Sequence, residues 1–498
     1  MPSLHDPRKP AVPTPLIPLD DQYKTPLFDA MVALAESRKV SFHTPGHKSG
    51  KGISTRFRKF VGPKIFSIDL TTLDEVDSLQ KPKGVIKEAQ HLAALAYGAD
   101  QSYFLVNGTS GGVHAMLATT CQPGETILIA RNAHKSVVTG LILSGASPVY
   151  FPPIFDPNLQ LTMNVSCDEV KDAIAKTPEA RTLFLTSPNY YGLCAELEPI
   201  IDHAHKKNIT VLLDEAHGPH LKFHEKLPIS GLDAGADLVV QSTHKIIGGM
   251  TQASMLHAKA DHIDLDRLAQ TLRLLQTTSP SYILMASLDL ARMQMATEGE
   301  KLLGTAIYLA EDARERINQI PGLQCFGHKD HPYLDVTKLT IQVRDLGLTG
   351  FQVSQKLNTQ YRVQAEMADP FHVLVIISIG DRKNDLDRLV DALQHIAADS
   401  MQSTSDHLVA NPGIPPVPGQ RVLTPREAFL ADHHPLPLCE ATGKISAEVI
   451  TIYPPGIALL VPGEVITSET IKYICRLTDF GATIDGLDQE STMIQTVK

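Results

Sequence analysis

Between Gln101 and Lys259, short unbroken apolar runs alternate with stretches whose apolar residues recur every three or four positions. The runs are Tyr103–Val106, Thr126–Ala130, Pro148–Phe151, Thr182–Leu185, Ile209–Leu213, Leu238–Val240 and Ala253–Leu256; Cys167–Lys176 and Leu197–Lys207 are two of the helical stretches between them. A strand that is apolar on both sides has to be covered on both sides, and helices returning between successive strands do this. The pattern therefore predicts an α/β fold with a mostly parallel seven-stranded sheet. In such sheets ligands bind beyond the carboxyl ends of the strands, where the chemically suggestive residues of this stretch fall.

A chain of 498 residues exceeds what one hydrophobic core organises, so several domains are expected. Residues 1–40 read as an N-terminal arm with one amphipathic helix, Pro26–Ser37, and residues 41–320 as the major domain. Long helices fill 262–320, interrupted at Thr277–Tyr282. Strand-like Leu339–Val343 and His372–Ile379 with helical Gly350–Leu357 predict a small α+β domain over 321–398. Residues 399–423, rich in Pro and Gly, read as a linker, and 424–498 as a compact C-terminal domain around Val449–Leu460.

The 45 basic and 55 acidic residues give a net charge of −10, which argues against a nucleic-acid partner and mildly favours a cationic small-molecule substrate. Cys121, Cys167, Cys194, Cys325, Cys439 and Cys475 are scattered without CxxC spacing, so neither a disulfide framework nor a structural zinc site is expected. The proline-rich first 21 residues lack the apolar core of a secretory signal, and no window approaches the length of a membrane span. A cytoplasmic protein is the expectation.

Two strand ends carry unusual chemistry. Lys245, in Gln241-Ser242-Thr243-His244-Lys245, follows the run ending at Val240. Taken alone it also reads as a surface lysine, but burial there would lower its pKa toward that of an amine able to form a Schiff base. Asp214 closes the Ile209–Leu213 run, where a carboxylate either caps a helix or needs a partner such as a protonated ring nitrogen. An aldehyde-trapping amine and a pyridinium-holding carboxylate are the chemical minimum for pyridoxal 5'-phosphate (PLP) catalysis. Asn107-Gly108-Thr109-Ser110-Gly111-Gly112 follows a strand and opens a helix, which suits a phosphate or is a plain connection. His134 could stack on a flat cofactor or be an ordinary loop histidine. The segment Thr186–Gly192 could meet a phenolic oxygen or simply turn. His217 could orient Asp214. A metal site built from Asp214, His217, His220 and His224 is disfavoured, because Pro219 and Pro228 break the helix that would align them.

These features appear in order along one sheet, and with them the chain resembles the bacterial ornithine/lysine/arginine decarboxylases of PLP fold type I, the aspartate-aminotransferase-like fold. The resemblance rests on Thr44-Pro45-Gly46-His47, Asp69-Leu70 through Asp77-Ser78-Leu79, Asn107–Gly111, His134-Lys135-Ser136, Asp214-Glu215-Ala216-His217, Ser242-Thr243-His244-Lys245, Thr277–Tyr282 and Tyr453-Pro454-Pro455-Gly456-Ile457. It implies that Lys245 forms the Schiff base, Asp214 binds the ring nitrogen, and His134 and Ala216 face the two sides of the ring. Thr109, Ser110, Gly111, Ser242 and His244 would hold the phosphate. Thr278 and Ser279 would reach the cofactor of a neighbouring subunit, which implies a homodimer with shared active sites, or a tetramer or larger built from it. Only about 40 residues precede the His-Thr-Pro-Gly-His motif, so the chain resembles the shorter, biosynthetic members, for which a decamer is not expected.

The implied activity is α-decarboxylation of a basic L-amino acid, arginine to agmatine first, then lysine, then ornithine. His217, Lys245 or Cys194 could return the proton to Cα. Asp74, Asp77, Glu366, Glu440 and Glu448 are candidates for the acidic partner of the substrate's distal cation. An aminotransferase or carbon–sulfur lyase of the same fold is a competing reading, though Arg344, Arg362 and Arg382 sit in no carboxylate-clamp motif. A non-catalytic PLP-binding protein is another, disfavoured because no expected catalytic position is lost.

Overall fold

Each of the seven apolar runs is a strand in the computed structural model, which describes residues 19–402, 413–453, 456–488, 490 and 492–498. The start of the expected N-terminal arm, the middle of the expected linker and the Pro454-Pro455 pair lie outside the described residues. The strands are β1 (Gln101–Leu105), β2 (Thr126–Ala130), β3 (Ser147–Phe151), β4 (Thr182–Thr186), β5 (Thr210–Asp214), β6 (Leu238–Gln241) and β7 (Ser254–Ala258). Every residue of β4, β6 and β7 is buried, as strands covered on both faces require. The sheet is mostly parallel, with the antiparallel pairings confined to β7.

The chain divides into two compact units, Met1–Thr119 with Leu212–Leu303, and Thr120–Val211 with Gly304–Lys498. In the first unit β5 runs parallel to β6, β6 antiparallel to β7, and β7 antiparallel to β1. The carboxyl ends of β1, β5 and β6 therefore point the same way. The helix Gly108–Thr120 lies close on this sheet: a Cβ at Gly112 would stand 2.4 Å from Val240 Cγ2 and 2.8 Å from Leu105 Cδ1. Only glycine permits that approach.

In the second unit β2 pairs in parallel with both β3 and β4. A small antiparallel sheet of Gln324–Cys325, Lys338–Gln342, Met367–Ala368 and His372–Ile376 shares a core with the helices Gly350–Tyr361 and Lys383–Gln402, including Leu339, Val353, Leu357, Val373 and Leu393. That last helix packs on this core through Leu386, Leu389, Val390, Leu393, Ile396 and Ala397, and it continues to Gln402, past residue 398 where the small domain was expected to end. The C-terminal segment has a separate core around Leu438, Ile450, Leu460, Ile474, Leu477 and Ile494.

The helix Pro26–Glu36 starts without a capping side chain of its own, since Thr25 makes no such bond. Asp289, on the long helix Tyr282–Ile317, supplies the missing acceptor: its Oδ2 receives the Leu27 and Phe28 amides at 3.1 and 3.4 Å. Its Oδ1 receives Arg292 Nη2 at 2.7 Å, and the fully buried Arg292 also donates to the carbonyls of Gln22 and Lys24. Removing one member of a buried pair leaves the other charge unmatched, at a cost of about 3 kcal/mol or more. Asp289→Ala is expected to lose that much in chemical denaturation, and a loss under about 1 kcal/mol would show that the cluster does not anchor the helix.

Candidate active site

Asp214 is the last residue of β5 and is 4% exposed. Burial raises its pKa, while the charge of Lys245 and the Ala216 amide, which donates to Oδ1 at 3.0 Å, pull it back. A dry carboxylate held this way gains most from a nearby cation.

Lys245 lies just beyond β6, in the short helix Thr243–Ile246. Its Nζ is 2.7 Å from Nε2 of His217, which is 2% exposed. The sequence suggested His217 as an orienter of Asp214 or a proton donor to Cα; its contact with the lysine came from the fold. Ser242 and Thr109, from the segments after β6 and β1, bring their hydroxyl oxygens to 2.7 Å, although 133 positions separate them. Ser110 and Gly111 follow Thr109 in the first turn of the helix that opens at Gly108, where the Gly108 and Gly111 amides donate to the Gln252 and Asn107 carbonyls. His244 donates from Nδ1 to the Ala253 carbonyl at 3.0 Å, and burial lowers its pKa.

An amine, a buried carboxylate, paired hydroxyls and a helix start thus converge in the first unit, and this donor set fits PLP. The amine can bond an aldehyde carbon, the carboxylate can face a protonated ring nitrogen, and the hydroxyls with the helix amides can hold a phosphate.

His134 lies in the second unit, after β2, with Nδ1 2.9 Å from Ser136 Oγ and a backbone bridge to Ile457. Thr278 and Ser279 are exposed. Their loop is held from below, because Gln80 Nε2 donates to the carbonyls of Gln276 and Thr277, and Tyr282 Oη donates to the Asp77 carbonyl.

Among the acidic candidates, Asp77 is engaged by the backbone. Its carboxylate accepts the amides of Ser78, Lys83, Gly84 and Ile86 and caps the helix Val85–Tyr97. Asp74, Glu366, Glu440 and Glu448 are exposed. Cys194 is half-buried, and its amide donates to the Tyr333 carbonyl. Neither Glu215 nor Gln241 was singled out in the sequence, yet Gln241 Nε2 donates to the fully buried Glu215 carboxylate at 2.6 Å. A polar residue closing an otherwise apolar strand was the available signal for Gln241, and a second carboxylate directly after such a strand was the signal for Glu215.

The family described as Orn/Lys/Arg decarboxylase, major domain, matches residues 25–329, and its C-terminal domain matches 405–496. A protein of Bacillus subtilis named arginine decarboxylase is 41% identical over 96% of this chain and 98% of its own length. The inducible lysine decarboxylase of Escherichia coli is 26% identical, covering 93% of this chain and 79% of that protein. A solved lysine decarboxylase from Francisella novicida superposes with a TM-score of 0.82 at 22% identity, over 96% of this chain and 82% of that one, which shows a common fold. The fold is PLP fold type I, and the chain belongs to the Orn/Lys/Arg decarboxylase family of PLP-dependent amino-acid decarboxylases.

Proposed function

We propose that this protein removes the α-carboxylate of L-arginine, releasing CO2 and agmatine for polyamine synthesis in the cytoplasm, and that Lys245 is its cofactor-bearing amine. The observation that carries the reading is Lys245 Nζ lying 2.7 Å from His217 beside the buried Asp214. Arginine is favoured over lysine and ornithine because the relatives at 40 and 41% identity carry the name arginine decarboxylase, whereas those named lysine decarboxylase stand at 24 and 26%.

Bound PLP supplies an electron sink for the pair released when the Cα–carboxylate bond breaks. Lys245 is the amine that would hold the cofactor by its aldehyde group. Asp214 keeps the ring nitrogen protonated, since a cation there relieves the carboxylate's burial. Thr109, Ser110, Gly111, Ser242 and His244 hold the phosphate. Lys245 and His217, joined by a hydrogen bond, form the proton-sharing pair from which Cα takes the proton that replaces CO2. The roles of His134 and Ala216 at the ring rest on the family resemblance. Asp74, Glu366, Glu440 and Glu448 stay proposed for the distal guanidinium, while Asp77 is set aside because its oxygens already accept backbone amides.

A homodimer with shared sites is supported by the exposure of Thr278 and Ser279 on a braced loop.

Lys245→Ala is expected to lose the visible absorbance of the bound cofactor and to cut CO2 release from arginine by at least about a thousandfold. Retained absorbance and turnover would place the covalent bond elsewhere. Arginine, lysine and ornithine assayed in parallel should give kcat/KM highest for arginine by about tenfold or more; a higher value for lysine would overturn the substrate assignment. Mixing Lys245→Ala subunits with Ser279→Asp subunits should restore about a quarter of wild-type activity, because half of the randomly formed dimers then contain one intact shared site. No recovery in verified heterodimers would rule out site sharing.

A further inference from the structure

Four side chains cross the sheet of the first unit directly beneath the cofactor-facing strand ends. Glu215 follows Asp214 and is fully buried. Its Oε1 accepts the Gly231 amide at 2.7 Å and its Oε2 accepts Gln241 Nε2 at 2.6 Å. Gln241 Oε1 lies 3.2 Å from His257 Nε2, and His257 Nδ1 lies 2.7 Å from Ser102 Oγ. Ser102 and His257 are direct partners across β1 and β7, and Gln241 stands diagonal to His257 across β7 and β6. The chain thus runs from the carboxyl ends of β5 and β6, which present Asp214 and Lys245, across β7 to Ser102 near the amino end of β1.

The donors and acceptors leave this chain two self-consistent arrangements. The Gly231 amide can only donate, so a proton on Glu215 has to sit on Oε2. With Glu215 ionised, the Gln241 amide group donates to it, the Gln241 oxygen needs a donor, and His257 must carry its proton on Nε2 and accept from Ser102 on Nδ1. With Glu215 protonated, Oε2 donates, the Gln241 amide turns by half a rotation, and its nitrogen donates to His257 Nε2. His257 then carries its proton on Nδ1 and donates to Ser102. Every buried group is paired in both arrangements, and His257 keeps a single proton in each.

We propose that this chain is a two-state relay in which the charge on Glu215 sets the orientation of the Gln241 amide and the tautomer of His257, and in which a cation bound at Asp214 favours the ionised state. Glu215 is then a positioning residue, acting on the cofactor through Asp214 and through the strand that carries Lys245. The second half rests on the PLP reading above, and the first half does not.

The surroundings keep both states within reach. Burial pushes Glu215 up to about 8, with Gln241 and the Gly231 amide drawing it down, and Asp233 and Asp214 driving it up. The other charged or titratable neighbours are Tyr97, stacked on His257 at 4.4 Å, and Lys222, which pairs with Asp233. Burial takes His257 down to about 3, so it does not end the relay by taking a second proton. A folded-state pKa above the ordinary carboxyl value means that ionising Glu215 costs stability, and that the cost appears as pH rises toward and through about 8. A cation arriving at Asp214 offsets it.

The test is the position of one proton. Neutron diffraction of the wild-type protein without PLP, near pH 6.5 and near pH 9.5, should find the His257 proton on Nδ1 at the lower pH and on Nε2 at the higher. The Glu215→Gln variant mimics the protonated state and should hold it on Nδ1 at both. In equilibrium titrations PLP should bind the wild type about tenfold more tightly as pH rises through this window, by a component that Glu215→Gln lacks. The same tautomer at both pH values, or one unchanged by Glu215→Gln, would overturn the relay even where PLP binds normally. Because the wild-type comparison needs no variant, a Glu215→Gln protein that fails to fold does not shelter the idea. A relay that switches in a wild-type protein unable to bind PLP would instead overturn the cofactor reading and leave the relay standing.

Discussion

The chemistry of this protein depends on keeping one carboxylate dry. Asp214 ends a strand that is buried along nearly its whole length, so water does not neutralise its charge. The fold answers with one backbone amide and the ammonium of Lys245, which lower its pKa without cancelling the effect of burial. That residual cost is one a nearby cation would offset. The same environment strengthens every other polar contact around it, including the hydrogen bond between Lys245 and His217.

The antiparallel strand β7 is what assembles the rest. Because it lies between β1 and β6 and runs against both, those two strands end on the same side with the start of β7 between them. The hydroxyl of Thr109, following β1, can then reach that of Ser242, following β6, at 2.7 Å. A fully parallel sheet would have put another carboxyl end, with its own loop, between them. The close seat of the helix Gly108–Thr120, which requires glycine at position 112, brings its first-turn amides to the same place.

Much of this was legible in the chain. The seven strands could be read because residues buried on both faces are apolar without interruption, and Lys245 and Asp214 because a charged residue at the end of such a run contradicts its surroundings. Asp77 shows what the chain does not reveal. A carboxylate near a suspected site looks like a ligand for a cationic substrate, and nothing local reveals that the amides of Lys83, Gly84 and Ile86 fold back onto it.

By itself the sequence determined the periodicities, and with them the strands, the helices between them, and which few residues were too polar for their positions. Those properties depend on neighbours within a few residues, where spacing along the chain and spacing in space are nearly the same. Tertiary structure alone decided that His217 meets Lys245, that Thr109 meets Ser242, and that Glu215, Gln241, His257 and Ser102 form a single chain of hydrogen bonds. Residues 28, 133 and 155 positions apart meet there because the order and direction of strands in a sheet are set by global packing, which no local pattern encodes.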